Sequence, residues 1–175
     1  MNRFAHSRLT QGRALAAGAL AAALMLLAGP ATAANTSGPQ ALWASTLPDA
    51  EGHQQALSKY KGHPLVVNFW ASWCGPCVAE MPELSAMQAQ YSQKGIQFVG
   101  IGIDSAENIQ GFLHKVNVTY PIYVAGFGGA DLARAFGNGA GGLPFTVVID
   151  AKGQVKYTKL GRVDAVALRH ALGTL

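Results

Sequence analysis

Residues 65–84 read Leu65-Val-Val-Asn-Phe-Trp-Ala-Ser-Trp-Cys-Gly-Pro-Cys-Val-Ala-Glu-Met-Pro-Glu-Leu84. Its first six residues are almost continuously apolar and rich in β-branched and aromatic side chains. Such a run predicts a buried central strand. After Trp73 the period changes. Met81, Leu84, Ser85, Met87 and Tyr91 recur at three- and four-residue spacing as far as Lys94-Gly95, where glycine ends a helix. Pro82 lies inside that helix and predicts a kink. The chain's two cysteines, Cys74 and Cys77, fall where the strand gives way to the helix. A free thiol with a pKa of ~8.5 is mostly protonated at neutral pH, and only the thiolate attacks a disulfide. A helix N-terminus offers unpaired N–H groups and the positive end of the dipole, which favour a thiolate at Cys74. Cys77 is one turn further along and can reach back to a mixed disulfide formed at Cys74. Pro76 suits a first helical turn, where its missing N–H is not needed.

Outward from this junction, strands and helices alternate. Residues 42–47 predict a short strand, followed by a turn over 48–52. Residues 57–61 predict a single helical turn. Residues 96–103 form a second buried strand by pattern, and Asp104-Ser105 caps a helix with Ile109, Phe112, Leu113 and Val116 on one face. A short strand over 120–124 and a short helix over 130–136 follow. Residues 137–142 contain four glycines and predict a mobile loop. Residues 145–150 and 154–160 read as a hairpin about Lys152-Gly153. Asp164 opens a last helix carrying Val166, Leu168 and Ala171. The order predicts an α/β fold: a central mixed sheet flanked by helices, with an antiparallel hairpin near its end.

The N-terminus carries Arg3, Arg8 and Arg13 without an acid, then an apolar run over residues 14–28, then Gly-Pro-Ala-Thr-Ala-Ala. That order predicts a signal peptide over residues 1–33, with Ala31 and Ala33 as the small residues before cleavage. The alternative is an uncleaved membrane anchor, for which 15 residues rich in alanine are short. Residues 34–41 read as a flexible lead-in, and 42–175 as one domain. Beyond residue 33 stand ten bases and nine acids. So small an excess gives no footprint for nucleic acid. Export points to a compartment where disulfides persist. A bridge across two residues constrains the unfolded chain little, so chemistry explains this pair better than stability. A structural zinc site needs four ligands. Here two cysteines would be joined only by scattered His53, His63, His114 and His170, so no metal or organic cofactor is expected.

The stretch from Val67 to Cys77 resembles the active-site signature of thioredoxins. Glu80-Met-Pro-Glu-Leu84, Leu47-Pro48-Asp49 with Gly52, the strand end at Asp104, and Tyr120-Pro121 are similar to the exported TlpA/ResA-like branch. The resemblance covers roughly residues 42–172. It implies a thioredoxin fold with an N-terminal β-hairpin extension and a central insertion, in a periplasmic protein that acts as a reductant. It also implies roles for individual residues. Leu143-Pro144 stands where the family has a cis proline, and the pair would form a substrate platform with Trp73, Gly75 and Pro76. Trp73 would pack over the sulfurs. Glu80 stands where the branch has an acid able to exchange a proton with Cys77, or it is a solvated residue of the first helical turns. Asn68 replaces the buried, titratable Asp of cytosolic thioredoxins.

The reaction expected is dithiol–disulfide exchange, with Cys74 attacking and Cys77 resolving. Expected partners are oxidised or mixed-disulfide periplasmic proteins and a membrane thiol-electron donor of the DsbD type, with the protein itself a monomer. The Gly75-Pro76 dipeptide is that of reducing thioredoxins, and an oxidant or isomerase is the alternative direction. Two other readings stand beside it. A peroxiredoxin needs a proline and a threonine cradling its cysteine, and residues 68–73 contain neither. A Cu(I) metallochaperone would use the two sulfurs as soft ligands.

Overall fold

The computed structural model describes residues 37–175. The expected leader over residues 1–33 lies outside them. The chain order is α1 (Gly38–Ala44), β1 (Thr46–Pro48), β2 (Gln54–Ala56), β3 (Leu65–Trp70), α2 (Gly75–Tyr91), β4 (Gln97–Gly102), α3 (Ala106–Leu113), β5 (Ile122–Val124), α4 (Gly129–Ala135), β6 (Phe145–Ile149), β7 (Val155–Leu160) and α5 (Ala165–Leu172). Short 3₁₀ turns lie at Leu57–Tyr60, Ser92–Lys94 and Gly126–Gly128.

The main sheet has five strands in the order β5-β4-β3-β6-β7. β3 is its centre and every residue of it is buried. β3 pairs parallel with β4 and antiparallel with β6, so the C-terminal end of β3 lies beside the N-terminal end of β6. Alternate residues of a strand face opposite sides of its sheet. Val66 and Trp70 accordingly join one core with Met81, Leu84, Ile109, Leu168 and Leu172. Leu65, Val67 and Phe69 join the other with Leu42, Tyr60, Ala133 and Phe136. β1 and β2 form a separate antiparallel hairpin, and Asp49 at its turn bridges to Tyr123 of β5. This is a thioredoxin fold with the hairpin extension and the insertion expected. Among the described residues no helix is long and apolar enough to cross a membrane.

One expectation needs correction. Residues 37–41 and 42–47 are not a lead-in followed by a strand. Residues 38–44 are helical, with Gly38, Pro39 and Leu42 buried. Gln40 Oε1 accepts the Ser37 N–H at 3.3 Å and Leu42 enters the second core, so tertiary packing holds a helix too short to stand alone. α2 spans Gly75–Tyr91 with Pro82 inside it. The 137–142 segment has an internal frame: Asn138 is buried and its Nδ2 donates to the Gly142 carbonyl at 2.9 Å.

Gly100 on β4 shows how closely the first core is built. A Cβ there would stand 2.5 Å from Ile122 Cδ1 and 3.2 Å from both Trp70 Nε1 and Tyr120 Cε2. The isoleucine tip can swing away, but the two packed rings cannot. Gly100→Val is therefore expected to cost about 1–3 kcal/mol, read from urea unfolding midpoints.

Candidate active site

Cys74 and Cys77 form a disulfide at the C-terminal end of β3. The Cys74 N–H donates to the Ala71 carbonyl at 3.1 Å, closing a turn that leads the chain out of the strand. Cys74 is the N-cap of α2, with extended backbone, and its sulfur accepts the N–H of Cys77 at 3.3 Å. One of the orphan donors of a helix start is thus spent on the sulfur, a direct stabilisation of negative charge there. Cys74 is 6% exposed and Cys77 is fully enclosed, so an incoming partner meets Cys74 first. Gly75 and Pro76 are exposed. A Cβ on Gly75 would meet no atom of the described residues within 4 Å, so the space beside it is open. Trp73, expected over the sulfurs, lies largely in solvent. It is 67% exposed, while both cysteines next along the chain belong to the first core.

Glu80 lies one turn beyond Cys77 and is fully buried. It is therefore not a solvated residue of the helix. Its Oε1 accepts from Asn68 Nδ2 at 2.8 Å and its Oε2 accepts the Val163 N–H at 2.9 Å. Burial pushes the Glu80 carboxyl above its ordinary range, against the opposing effect of those two hydrogen bonds. The second Nδ2 proton of Asn68 goes to Thr146 Oγ1 at 3.0 Å. A buried polar chain thus runs from β6 across β3 to α2 and the segment before α5. Tyr120 borders it. Its buried hydroxyl is raised by desolvation and then by the Glu80 charge, and it has no partner among the described residues.

The Leu143–Pro144 peptide is cis. It precedes β6, at the same end of the sheet as Cys74. Leu143 packs partly buried against both cores, and the Pro144 carbonyl accepts from the Gly161 N–H at 2.8 Å. Among the described residues neither the N–H nor the C=O of Leu143 has a hydrogen-bond partner.

Thr146 and Val163 were not identifiable from sequence as site residues. Val163 contributes only a main-chain N–H and carries no side-chain signal. Thr146 sits in a strand that reads as apolar core, and a hydroxyl on its inward face is the one available cue. His53 and the acids Asp49 and Glu51 bring potential ligand atoms together on the hairpin turn. Asp49 is already committed there, its Oδ1 accepting the N–H groups of Glu51 and His53 and its Oδ2 accepting from Gln55.

Comparison with known proteins accords with this geometry. The redoxin family model matches residues 31–171. The thiol–disulfide oxidoreductase ResA of Geobacillus thermodenitrificans is 30% identical over 130 residues, which are 74% of this chain and 72% of that protein. A thioredoxin-related protein of Neisseria meningitidis serogroup B is similar in structure with a TM-score of 0.64 and 36% identity, over 73% of this chain and 96% of that one. A thiol:disulfide interchange protein of the thioredoxin family from Chlorobium tepidum gives a TM-score of 0.62 and 29% identity, over 74% and 91%. This chain belongs to the redoxin family and, within it, to the TlpA/ResA/DsbE-like thiol–disulfide oxidoreductases.

Proposed function

We propose that the protein reduces disulfides of exported proteins in the periplasm. The Cys74 thiolate attacks one sulfur of a partner's disulfide, and the partner's other sulfur leaves as a thiolate. The Cys77 thiolate then attacks Cys74 in the mixed disulfide and releases the partner's second thiol, leaving the Cys74–Cys77 disulfide. Two electrons pass to the partner. A membrane thiol-electron donor of the DsbD type returns them by the reverse exchange. In this reading Glu80, one helical turn beyond Cys77, takes or gives the cysteine's proton. The free N–H and C=O of Leu143 suit pairing with an extended partner peptide beside Cys74, as strands pair. The apolar leader supplies export, with residues 1–33 as the segment that directs it.

The observation that carries this reading is the sulfur of Cys74 capping α2, with Cys77 enclosed behind it. The Gly75-Pro76 dipeptide supports the reducing direction, since thioredoxins stand at about −270 mV and strong oxidants of the fold at about −120 mV. Equilibration of residues 34–175 with glutathione buffers, alongside an insulin-reduction assay, tests it. The expected potential is below about −250 mV, with insulin reduced. A value above about −150 mV would make the protein an oxidant. Tight Cu(I) binding without insulin reduction would favour the metallochaperone.

A further inference from the structure

Asp104 follows β4 at the same end of the sheet as Cys74. It is only 4% exposed. Its Oδ2 accepts the Ser72 N–H at 3.2 Å and the Ser72 hydroxyl at 2.5 Å. Its Oδ1 accepts the Ser105 N–H and Asn108 Nδ2, each at 2.8 Å. All four donors are neutral, and among the described residues no cation pairs with it. Burial pushes its carboxyl up, but these hydrogen bonds outweigh that and hold it below the usual carboxylate range. Asp104 therefore carries a full negative charge at neutral pH. Ser72, which it grips, is two residues before Cys74, and the Cys74 N–H closes the same turn on Ala71.

We propose that Asp104 is a positioning and tuning residue for the redox pair: it pins the turn that presents Cys74, and its uncompensated charge disfavours the Cys74 thiolate, holding the pair at a reducing potential. The inference rests on Cys74 being the attacking thiol. Asp104 is bonded to Ser72, two residues before Cys74, so its charge bears on a thiolate formed at the end of the same turn, and a partly buried charge is screened less than an exposed one. Reduced forms with a highly stabilised thiolate are the oxidants of this fold, and Asp104 works against that stabilisation. A groove of about 430 Å³ beside Ser72 is lined by Glu107, Asn108, Gly111, Phe112 and Lys115. Its two charged residues have opposite sign, so they add little net field to that of Asp104.

Three variants separate the charge from the grip. Asp104→Asn removes both the charge and part of the hydrogen bonding. Asn108→Lys, at an exposed position, replaces one neutral donor to Asp104 Oδ1 with a cation and leaves both Ser72 contacts in place. Ser72→Ala loosens the grip and keeps the charge. The glutathione equilibrium constant is expected to move roughly tenfold, about 30 mV, toward oxidant in Asp104→Asn, and in the same direction in Asn108→Lys. Ser72→Ala is expected to leave that constant within about twofold while slowing insulin reduction several-fold, through misplacement of Cys74. If Asp104→Asn fails to fold, Asn108→Lys still decides. Equilibrium constants unmoved in every foldable charge variant overturn the proposal. A wild-type protein that proves oxidising refutes the reductase reading, while shifts further toward oxidant in both charge variants would still uphold the tuning by Asp104.

Discussion

Cys74→Ser is expected to abolish insulin reduction altogether, while Cys77→Ser stalls at a mixed disulfide with the partner. The asymmetry follows from burial and hydrogen bonding. Cys74 is the more accessible of the two cysteines, and its sulfur receives the helix N–H that stabilises a thiolate. Without it, the partner's disulfide meets a serine hydroxyl, which does not undergo thiol exchange. Cys77 is fully enclosed and cannot reach an outside disulfide. In its absence the first exchange still proceeds, and the mixed disulfide waits for an external thiol. The check is a non-reducing gel of the Cys77→Ser protein after exposure to oxidised partner. A reducible adduct is expected, with none from Cys74→Ser. Full multiple turnover by Cys77→Ser would overturn the two-cysteine mechanism.

Much of the scaffold was legible because it rests on local pattern. The run of residues 65–70 could only be a buried strand, and a CxxC following it could only open the next helix. Ser105 and Asp164 do cap α3 and α5, accepting the N–H groups of Asn108 and Ala167. The hairpin of β6 and β7 also follows from the turn between its two runs. What was hidden depends on contacts far apart in sequence. α1 carries its signals, Pro39 in the first turn and Gln40 reaching back to Ser37, but a seven-residue helix becomes stable only where Leu42 and Gly38 meet the second core and Phe136. Asn138 could not be distinguished from a flexible polar residue until its amide met Gly142. The site was half legible in the same sense. Cys74, Cys77 and Glu80 lie within seven residues. The Val163 N–H that receives Glu80 comes from 83 residues away, and the Thr146 hydroxyl that receives Asn68 from 78. Asp104 was visible as a strand end beside a cap, but its hold on Ser72 was not.

Glu80→Gln is expected to flatten the dependence of stability on pH, and Glu80→Ala to lower stability by about 2–4 kcal/mol. In the alanine variant the Val163 N–H and the Asn68 amide lose their acceptor in a fully buried place, and a cavity replaces the carboxyl. Glutamine fills the same volume and keeps more of the hydrogen bonding than alanine does. Its Oε1 takes the Val163 N–H. Asn68, whose Oδ1 has no partner among the described residues, can turn its amide so that Oδ1 accepts from the new Nε2, at the cost of the two hydrogen bonds its NH2 now donates. The sign of the pH effect follows from burial. Glu80 holds its proton more tightly in the folded chain than in the unfolded one, where its pKa is near 4.5. Through the window from that value up to the raised folded one, the native state binds more protons, so stability falls as pH rises. Each unit of separation amounts to about 1.4 kcal/mol. Asp49 and Asp104 shift the opposite way, and their stabilisation is lost only as pH falls below their ordinary 3.8, outside this window. Urea unfolding of the oxidised protein between pH 4.5 and 8 should therefore show a decline in the wild type that is absent in Glu80→Gln. The same variant should lose the matching inflection in the rate of exchange, because Cys77 would have no ionisable neighbour on the next turn to share its proton. A decline that persists unchanged in Glu80→Gln would mean that another group titrates, and Glu80 would then be a structural acceptor for Asn68 and Val163 alone.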